Sequence, residues 1–212
     1  MIHTLIIPGY HGSETGHWQR HWAADHPSVE VVEQEDWDHP ILSDWLHVLE
    51  AHLAAAPGAI LVAHSLGCAL VAHLAGRSSA SHIGGALLVA PADADAVARQ
   101  DPVFADFAPL PTRALPFPSI VVASRNDPYM GFGRATELAD QWGAGLVDLG
   151  EAGHINVASG YGPWPDGVIL AEALRGRRTA ESRRAPERPV RLQHRPTAFA
   201  GRRDAAAAPA LG

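Results

Sequence analysis

The chain has 212 residues, of which 47% are hydrophobic, and it carries a formal net charge of −7. This length and composition allow one substantial core, and no stretch reaches the roughly 18 uninterrupted apolar residues that a membrane span needs. The N-terminus has no charged segment followed by an apolar run and a cleavage site, and the single cysteine, Cys68, excludes an internal disulfide framework. We therefore expect a soluble, cytoplasmic protein without a membrane partner.

Charge is unevenly distributed along the chain. Residues up to Arg175 contain seven arginines and twenty acidic residues, whereas the remainder contains nine arginines and three acidic residues. An acidic body argues against a nucleic-acid partner, because phosphate binding needs a clustered basic surface. Beyond Gly176 the apolar periodicity stops, so we predict one domain over 1–175 and a disordered basic tail rich in Arg, Pro and Ala over 176–212. Such a tail is a candidate surface for a protein partner.

Short apolar runs alternate with helical patterns along the domain. The runs predict strands at residues 4–8, 29–32, 59–63, 84–89, 118–123 and 145–149, and helical spacing occurs at 14–22, 41–55, 66–74, 134–142 and 166–174. The apolar runs do not alternate with polar residues, which is typical of strands buried on both faces of a parallel sheet. We therefore predict an α/β fold with a mostly parallel, doubly wound sheet and helices on both faces.

The first strand ends in a glycine-rich loop at residues 8–13. A loop that follows a parallel strand opens at the carboxyl edge of the sheet, where open α/β sheets bind their ligands. Tyr10 and His11 should therefore lie at that edge. The next segment holds His17 and His21 one helical turn apart, a spacing that can bind a metal. No carboxylate stands at a matching position, so we predict no metal site and no cofactor.

Ser65 stands where the third apolar run gives way to a helical pattern. In a nucleophile elbow, a tight strand-to-helix turn exposes a serine hydroxyl above the sheet, and the next backbone N–H helps to bind an oxyanion. The usual pattern is Gly-x-Ser-x-Gly, and here Ala63 takes the first place, one methyl group larger than glycine. A serine at a helix start also commonly caps that helix, so the pentapeptide ending at Gly67 is compatible with either role.

Three residues of complementary chemistry, Ser65, Asp127 and His154, each follow a predicted strand. A serine hydroxyl needs a base within hydrogen-bond reach, and the base needs a carboxylate to hold its tautomer. The α/β-hydrolases place these groups in this chain order. Asp93 also follows a strand and is the alternative acid; we favour Asp127 because its loop directly precedes a helix and a strand that lead to His154. His64 is the alternative base, but we expect it to point away across the turn.

Several short motifs occur together between Ile2 and Leu174. They are Ile7-Pro8-Gly9-Tyr10, His17-Trp18, Asp36-Trp37, Val62 to Gly67, Val89 to Asp93, Ser124 to Pro128, Gly153 to Asn156 and Ser159 to Pro165. In this combination the chain resembles the YdeN family of small α/β-hydrolase serine hydrolases. The resemblance implies a compact α/β-hydrolase fold with no large cap domain, a triad of Ser65, Asp127 and His154, and activity on small carboxylic esters.

The elbow and the first loop predict the surroundings of the serine. The backbone N–H of Leu66 should be one oxyanion donor, and the second should come from Tyr10 or, as the alternative, from His11. The connection at residues 92–116 is too short and too rich in proline to form a separate lid, so we expect a shallow cleft. Its expected substrate-binding walls are aromatic: Trp18, Phe104, Phe107 and Trp164.

Together these features predict a carboxylesterase-type serine hydrolase that cleaves a small-molecule ester through an acyl-enzyme intermediate. Two alternatives stay open. The same triad can transfer an acyl group to an acceptor other than water. A hydrolase fold can also serve as a catalytically silent protein that binds a partner through its acidic body or basic tail, although an intact triad argues against this.

Overall fold

A single parallel sheet forms the centre of the molecule. The computed structural model describes residues 4–177 and the pair Val190–Arg191. The strands are β1 (Thr4–Ile7), β2 (Val29–Val31), β3 (Ala59–His64), β4 (Ile83–Val89), β5 (Ser119–Ala123), β6 (Gly145–Asp148) and β7 (Val190–Arg191). They lie in the order β2-β1-β3-β4-β5-β6-β7, and every neighbouring pair is parallel.

Helices connect the strands and cover both faces of the sheet. They are α1 (Trp18–Asp25), α2 (Leu42–Ala55), α3 (Leu66–His73), α4 (Ala94–Gln100), α5 (Phe132–Trp142) and α6 (Pro165–Arg177). Helices α1 and α6 pack on one face, and α2 to α5 pack on the other. The predicted α/β-hydrolase architecture, doubly wound and parallel, is confirmed.

The strand β3 shows why its sequence is uniformly apolar. Ile60 and Val62 join the core beside α1 and α6, whereas Leu61 and Ala63 join the core beside α2 to α5. Because successive side chains of a strand point to opposite faces, a strand with helices on both sides buries every residue. All six residues of β3 are buried.

The sheet order places two loops side by side. From β1 the chain passes outward to β2 on one side, and from β3 it continues through β4, β5 and β6 on the other. Open α/β sheets bind ligands at such a reversal of strand order. The register aligns Ile7 with Ala63, so the loop after β1 and the turn after β3 leave the sheet at the same level.

Two segments differ in detail from the sequence patterns. Helix α1 begins at Trp18 rather than near residue 14, because His17 stands before the helix and its Nδ1 accepts a hydrogen bond from the Gln19 N–H at 3.2 Å. The connection between β4 and β5 forms α4 and a 3-10 segment, Pro102–Phe107, that packs on the body of the domain. Within the described residues it forms no separate cap domain.

The predicted tail lies mostly outside the described residues. The predicted boundary at residue 175 is two residues early, because helix α6 continues to Arg177. Farther along, Val190 and Arg191 align with Val147 and Asp148 of β6. No helix in the described part of the chain is long and apolar enough to cross a membrane.

Candidate active site

Ser65 occupies a strained turn between β3 and α3. Its φ of 53° and ψ of −122° lie in a region that residues with a side chain rarely adopt. Ser65 is the residue before α3, yet its side chain makes no capping hydrogen bond to the helix. The hydroxyl lies 2.9 Å from Nε2 of His154 instead. The structure therefore does not support the helix-cap role for this serine.

Close packing explains the small residues on either side of the turn. A Cβ on Gly67 would lie 2.4 Å from the carbonyl oxygen of Ile7, so α3 can approach β1 only with glycine at this position. Ala63 is fully buried in β3. Its methyl group therefore fits where the usual motif has glycine.

Ser65, His154 and Asp127 form one hydrogen-bonded chain. Nδ1 of His154 lies 3.0 Å from each carboxylate oxygen of Asp127. Because an ionised carboxylate can only accept, Nδ1–H donates to Asp127, and Nε2 is left to accept from the Ser65 hydroxyl. The side chains of His154 and Asp127 are 3% and 2% exposed, so the hydrogen bond between them is shielded from water.

Hydrogen bonds join the loops that carry the acid and the base. Oδ1 of Asn126 accepts from the Gly153 N–H at 2.7 Å, and Oγ of Ser124 accepts from the Ala152 N–H at 2.9 Å. Asp127 directly follows Asn126, and His154 directly follows Gly153. The two side chains are therefore held together by their own loops.

Ser159 also holds the loop that carries His154. Its Oγ accepts from the His154 N–H at 3.0 Å and donates to Oδ1 of Asn156 at 3.0 Å. Gly153 has a φ of +57°, and a Cβ there would lie 2.3 Å from the Ser159 Oγ. Glycine is thus required both by the backbone and by the close approach of Ser159.

The two expected oxyanion donors, the backbone N–H groups of Leu66 and Tyr10, each belong to the first residue of a helical turn. Leu66 is the first residue of α3 and Tyr10 is the first of a 3-10 turn, and neither position has an acceptor within its own helix. A Cβ on Gly9 would lie 3.0 Å from the Leu66 nitrogen, so the loop after β1 passes directly beside the turn. The alternative donor is already engaged, because the His11 N–H donates to the carbonyl of Trp37 at 3.2 Å.

His64 lies beside the serine but does not contact its hydroxyl. Its Nε2 donates to the carbonyl oxygen of His154 at 2.9 Å. Burial, together with the neighbouring His154 and His17, holds the pKa of His64 well below its ordinary value of 6.5. Burial likewise lowers the pKa of His17 to about 3. Both rings are therefore neutral, and His64 supports the position of His154.

The alternative acid, Asp93, is occupied elsewhere. Its carboxylate caps α4 by accepting from the Ala96 N–H at 3.2 Å.

Cys68 is fully buried, and burial raises the pKa of its thiol well above 9.0, so it stays protonated and unreactive. Among the described residues, no group of three or more His, Cys, Asp or Glu side chains is arranged to hold a metal ion.

Two cavities meet at Ser65. The larger cleft has a volume of about 570 Å³ and extends along His154 towards Asn156. The smaller pocket has a volume of about 30 Å³ and is apolar; beyond Ser65 it is lined by Tyr10, Leu66, Ala92, Val97, Phe104 and Tyr129. The small apolar pocket and the large cleft thus share Ser65, and of the two only the large cleft is lined by His154.

The predicted aromatic walls are corrected in three of four cases. Phe104 does line the small pocket. Trp18 and Trp164 instead pack against each other in the core on the α1 and α6 face of the sheet, with ring centroids 5.3 Å apart. Phe107 is fully buried against Trp45 on the other face. Trp18, Trp164 and Phe107 are therefore core residues, and their side chains do not line the cleft.

Two residues at the site were not identified from the sequence. The Tyr129 ring packs edge-on against the His154 ring, with centroids 4.6 Å apart, and lines both cavities. The buried Gln19 amide Nε2 donates to the carbonyls of Ile7 and Val62, at 3.3 and 3.0 Å, and so joins the ends of β1 and β3. Tyr129 stands two positions after Asp127, and this proximity to the predicted acid could have identified it. Gln19 could not be identified in this way, because its partners Ile7 and Val62 are distant from it in the sequence.

The fold and this geometry define a class of protein. A parallel, doubly wound sheet with a strained strand-to-helix serine, hydrogen-bonded to a histidine and an aspartate in that chain order, is the arrangement of the α/β-hydrolases. The family model for serine hydrolases matches residues 4–173. The chain belongs to this family and, within it, to the YdeN group of small serine hydrolases. Membership supports hydrolase activity.

Individual relatives show how far the similarity extends. YdeN of Bacillus subtilis is 27% identical over 174 residues, which cover 76% of this chain and 89% of YdeN. The crystal structure of a YdeN-like hydrolase from Pectobacterium atrosepticum is 33% identical, with a TM-score of 0.70 over 82% of this chain and 91% of that one. Est1E of Butyrivibrio proteoclasticus, solved with ferulic acid, is 14% identical, with a TM-score of 0.58 over 86% and 90% of the two chains. At that identity the likeness shows the fold alone.

Proposed function

We propose that the protein is a carboxylesterase-type serine hydrolase that cleaves small acyl esters through an acyl-enzyme intermediate. The observation that carries this proposal is the hydrogen-bonded chain from Ser65 through His154 to Asp127 at the meeting point of two cavities. A structural role for the strained backbone at Ser65 is not evident, since its hydroxyl caps nothing. Strain of this kind is commonly retained at functional sites.

In the acylation step, the Ser65 oxygen attacks the ester carbonyl carbon while its proton passes to Nε2 of His154. Asp127 accepts from Nδ1–H and stabilises the imidazolium that forms. The carbonyl oxygen becomes an oxyanion, and in this proposal the N–H groups of Leu66 and Tyr10 bind it. When the tetrahedral intermediate collapses, the bond to the alcohol oxygen breaks, and His154 returns the proton to that oxygen.

In the deacylation step, water takes the place of the alcohol. His154 removes a proton from the water as its oxygen attacks the acyl carbon, and the second tetrahedral intermediate releases the carboxylic acid. The proton then returns to the Ser65 oxygen. The cycle consumes one ester and one water and restores the enzyme. The same steps with an alcohol in place of water would transfer the acyl group.

The small pocket determines which acyl groups fit. It lies beside Leu66, one of the two oxyanion donors, and it offers about 30 Å³. Because a water-sized group needs at least about 10–15 Å³, the pocket holds two or three heavy atoms. Acetyl and propionyl groups fit, and a longer chain would project past Phe104 without burying its added methylenes. This supports a short-acyl esterase.

Hydrolysis of p-nitrophenyl acetate by the purified protein tests the proposal. We expect saturable hydrolysis that falls by about 10³-fold or more in kcat in Ser65→Ala and in His154→Ala, as for other triads. A control substitution of the buried thiol, Cys68→Ala, should leave both cavities lined as before, so hydrolysis should remain. Hydrolysis that persists in Ser65→Ala would reject the serine as the nucleophile. A folded wild-type protein without esterase or thioesterase activity would favour the catalytically silent alternative.

A further inference from the structure

The two cavities at Ser65 differ in that His154 lines the large cleft and Leu66 lines the small pocket, and this difference bears on where the two halves of the substrate bind. In the proposed mechanism His154 must protonate the departing alcohol oxygen, so the alcohol leaves on the side of His154. That side is the 570 Å³ cleft, which continues along Asn156 and Ser159. The acyl group then occupies the 30 Å³ pocket beside Leu66 and Phe104. The alcohol half therefore occupies the larger cavity, and most contacts between enzyme and substrate are made with the alcohol.

The wall of the cleft is polar and has groups free to bind a ligand. Nδ2 of Asn156 has no hydrogen-bond partner among the described residues, because the amide uses only Oδ1, towards Ser159. Glu14 is an exposed residue that also lines the cleft, and its carboxylate makes no ion pair with another described residue. A hydrophobic alcohol would leave both groups without partners when it displaced their water.

Among the described residues, the lining of the cleft carries the Glu14 carboxylate, and the nearby Arg20, whose charge reaches His17, is paired with Glu33. No arginine lines it in the described part of the chain, and the sequence contains no lysine. The buried rings of His17 and His64 are neutral, as shown above. Burial, and after it the carboxylates of Asp38, Asp101 and Asp36, raise the pKa of the Tyr10 phenol, so these carboxylates lie close enough to act on a residue that lines the cleft. This field attracts a cation and repels an anion.

Aromatic groups add to this preference. The rings of Tyr10 and Tyr129 both line the cleft, and Tyr129 stands against His154, next to the position of the leaving oxygen. The face of an aromatic ring attracts ammonium groups. The Tyr10 ring already packs against His11 and Phe104, so a cationic alcohol would meet chiefly the Glu14 carboxylate and the Tyr129 side chain.

We propose that the physiological substrate is a short-acyl ester of a polar alcohol that carries a positive charge, with Glu14 as the specificity-determining carboxylate. This inference rests on the proposed esterase function. It concerns the alcohol half of the substrate, which the triad does not determine.

A matched set of acetate esters tests the inference. Acetylcholine, its uncharged carbon isostere dimethylbutyl acetate and the anionic sulfoethyl acetate differ in charge, and the first two have the same shape. With proton release as the assay, we expect kcat/KM for acetylcholine to exceed that for the isostere by about three- to tenfold at low ionic strength, the range for one exposed carboxylate acting through water. The anionic ester should be the poorest substrate. Raising the salt towards 1 M should reduce the difference, because the Debye length falls to about 3 Å and the Glu14 carboxylate is screened.

Two variants locate the effect. In Glu14→Gln the ratio of acetylcholine to its isostere should fall towards one. In Asp25→Asn the ratio should be unchanged, because this exposed residue ends α1, which runs away from the cleft towards the start of β2. Equal rates for the two esters, or a preference that Glu14→Gln retains, would overturn the inference.

A reference substrate separates this inference from the proposed function. If p-nitrophenyl acetate is hydrolysed but the cation is not preferred, the inference alone is wrong. If no ester is hydrolysed, the proposed function fails and the inference fails with it.

Discussion

His17 should make the protein sensitive to mild acid, and the size of the effect follows from its burial. The ring is 2% exposed, and its pKa is lowered to about 3 because burial disfavours the charged form. An unfolded histidine has a pKa of about 6.5. The unfolded chain therefore takes up this proton first as the pH falls, so the stabilising contribution is complete above about pH 6.5 and is lost progressively towards pH 3.

A measurable part of the stability that His17 contributes is lost between pH 7 and pH 5. At 1.36 kcal/mol per unit of pKa difference, His17 should lower the free energy of unfolding by about 2 kcal/mol across this interval. This is a sizeable share of a typical 5–15 kcal/mol. Carboxylates with lowered pKa values, such as that of Glu50 at about 2, contribute little here because their unfolded forms titrate nearer pH 4.

Urea unfolding of wild type and His17→Asn at the two pH values measures this contribution. Asparagine can still accept from the Gln19 N–H and so keeps the cap of α1, but it has no ionisable ring. The variant should lose about 2 kcal/mol less stability between pH 7 and pH 5, which corresponds to about 1 M in the urea midpoint for a slope near 2 kcal/mol/M. If His17→Asn loses as much stability as wild type, the buried ring is not held neutral and the reasoning is refuted.

Three further predictions concern the triad, the acyl pocket and the tail. Asp127→Asn should lower kcat by about 10³- to 10⁴-fold, whereas Asp93→Asn, which keeps the cap of α4, should retain wild-type kcat within about twofold; the reverse ranking would assign the acid to Asp93. Across p-nitrophenyl esters, kcat/KM should be highest for acetate or propionate, and Phe104→Ala should move the optimum to longer acyl chains; a steady rise with chain length in wild type would contradict the small pocket. A chain ending at Arg178 should keep its Tm and its esterase rate, and a cooperative loss of folding would show that the tail belongs to the domain.

Local sequence patterns predicted the sheet and the turn at Ser65 because they report local physics. The uninterrupted apolar run in β3 follows from burial on both faces, and Gly67 follows from the contact of α3 with β1. The positions of Asp127 and His154 followed from their places after strands, since parallel strands end at one edge of the sheet. Their hydrogen bonds were then a consequence of topology.

The aromatic residues could not be assigned from sequence in the same way. An aromatic at helical spacing packs equally well into a core or a cleft, and only the orientation of the helix decides. Trp18 and Trp164 face the core, as does Phe107, whereas Phe104, three residues earlier, faces the small pocket. The support that Ser159 gives to the His154 loop depends on a backbone turn with positive φ, which periodicity does not reveal.

Covalent labelling of Ser65 tests the central claim most directly. A fluorophosphonate should add once to the wild-type protein, because the probe reacts with a serine that a neighbouring base activates. Intact-mass analysis should show a single adduct, peptide mapping should place it on Ser65, and Ser65→Ala should remain unmodified under the same conditions. An adduct on another residue, or one that persists in Ser65→Ala, would contradict the account.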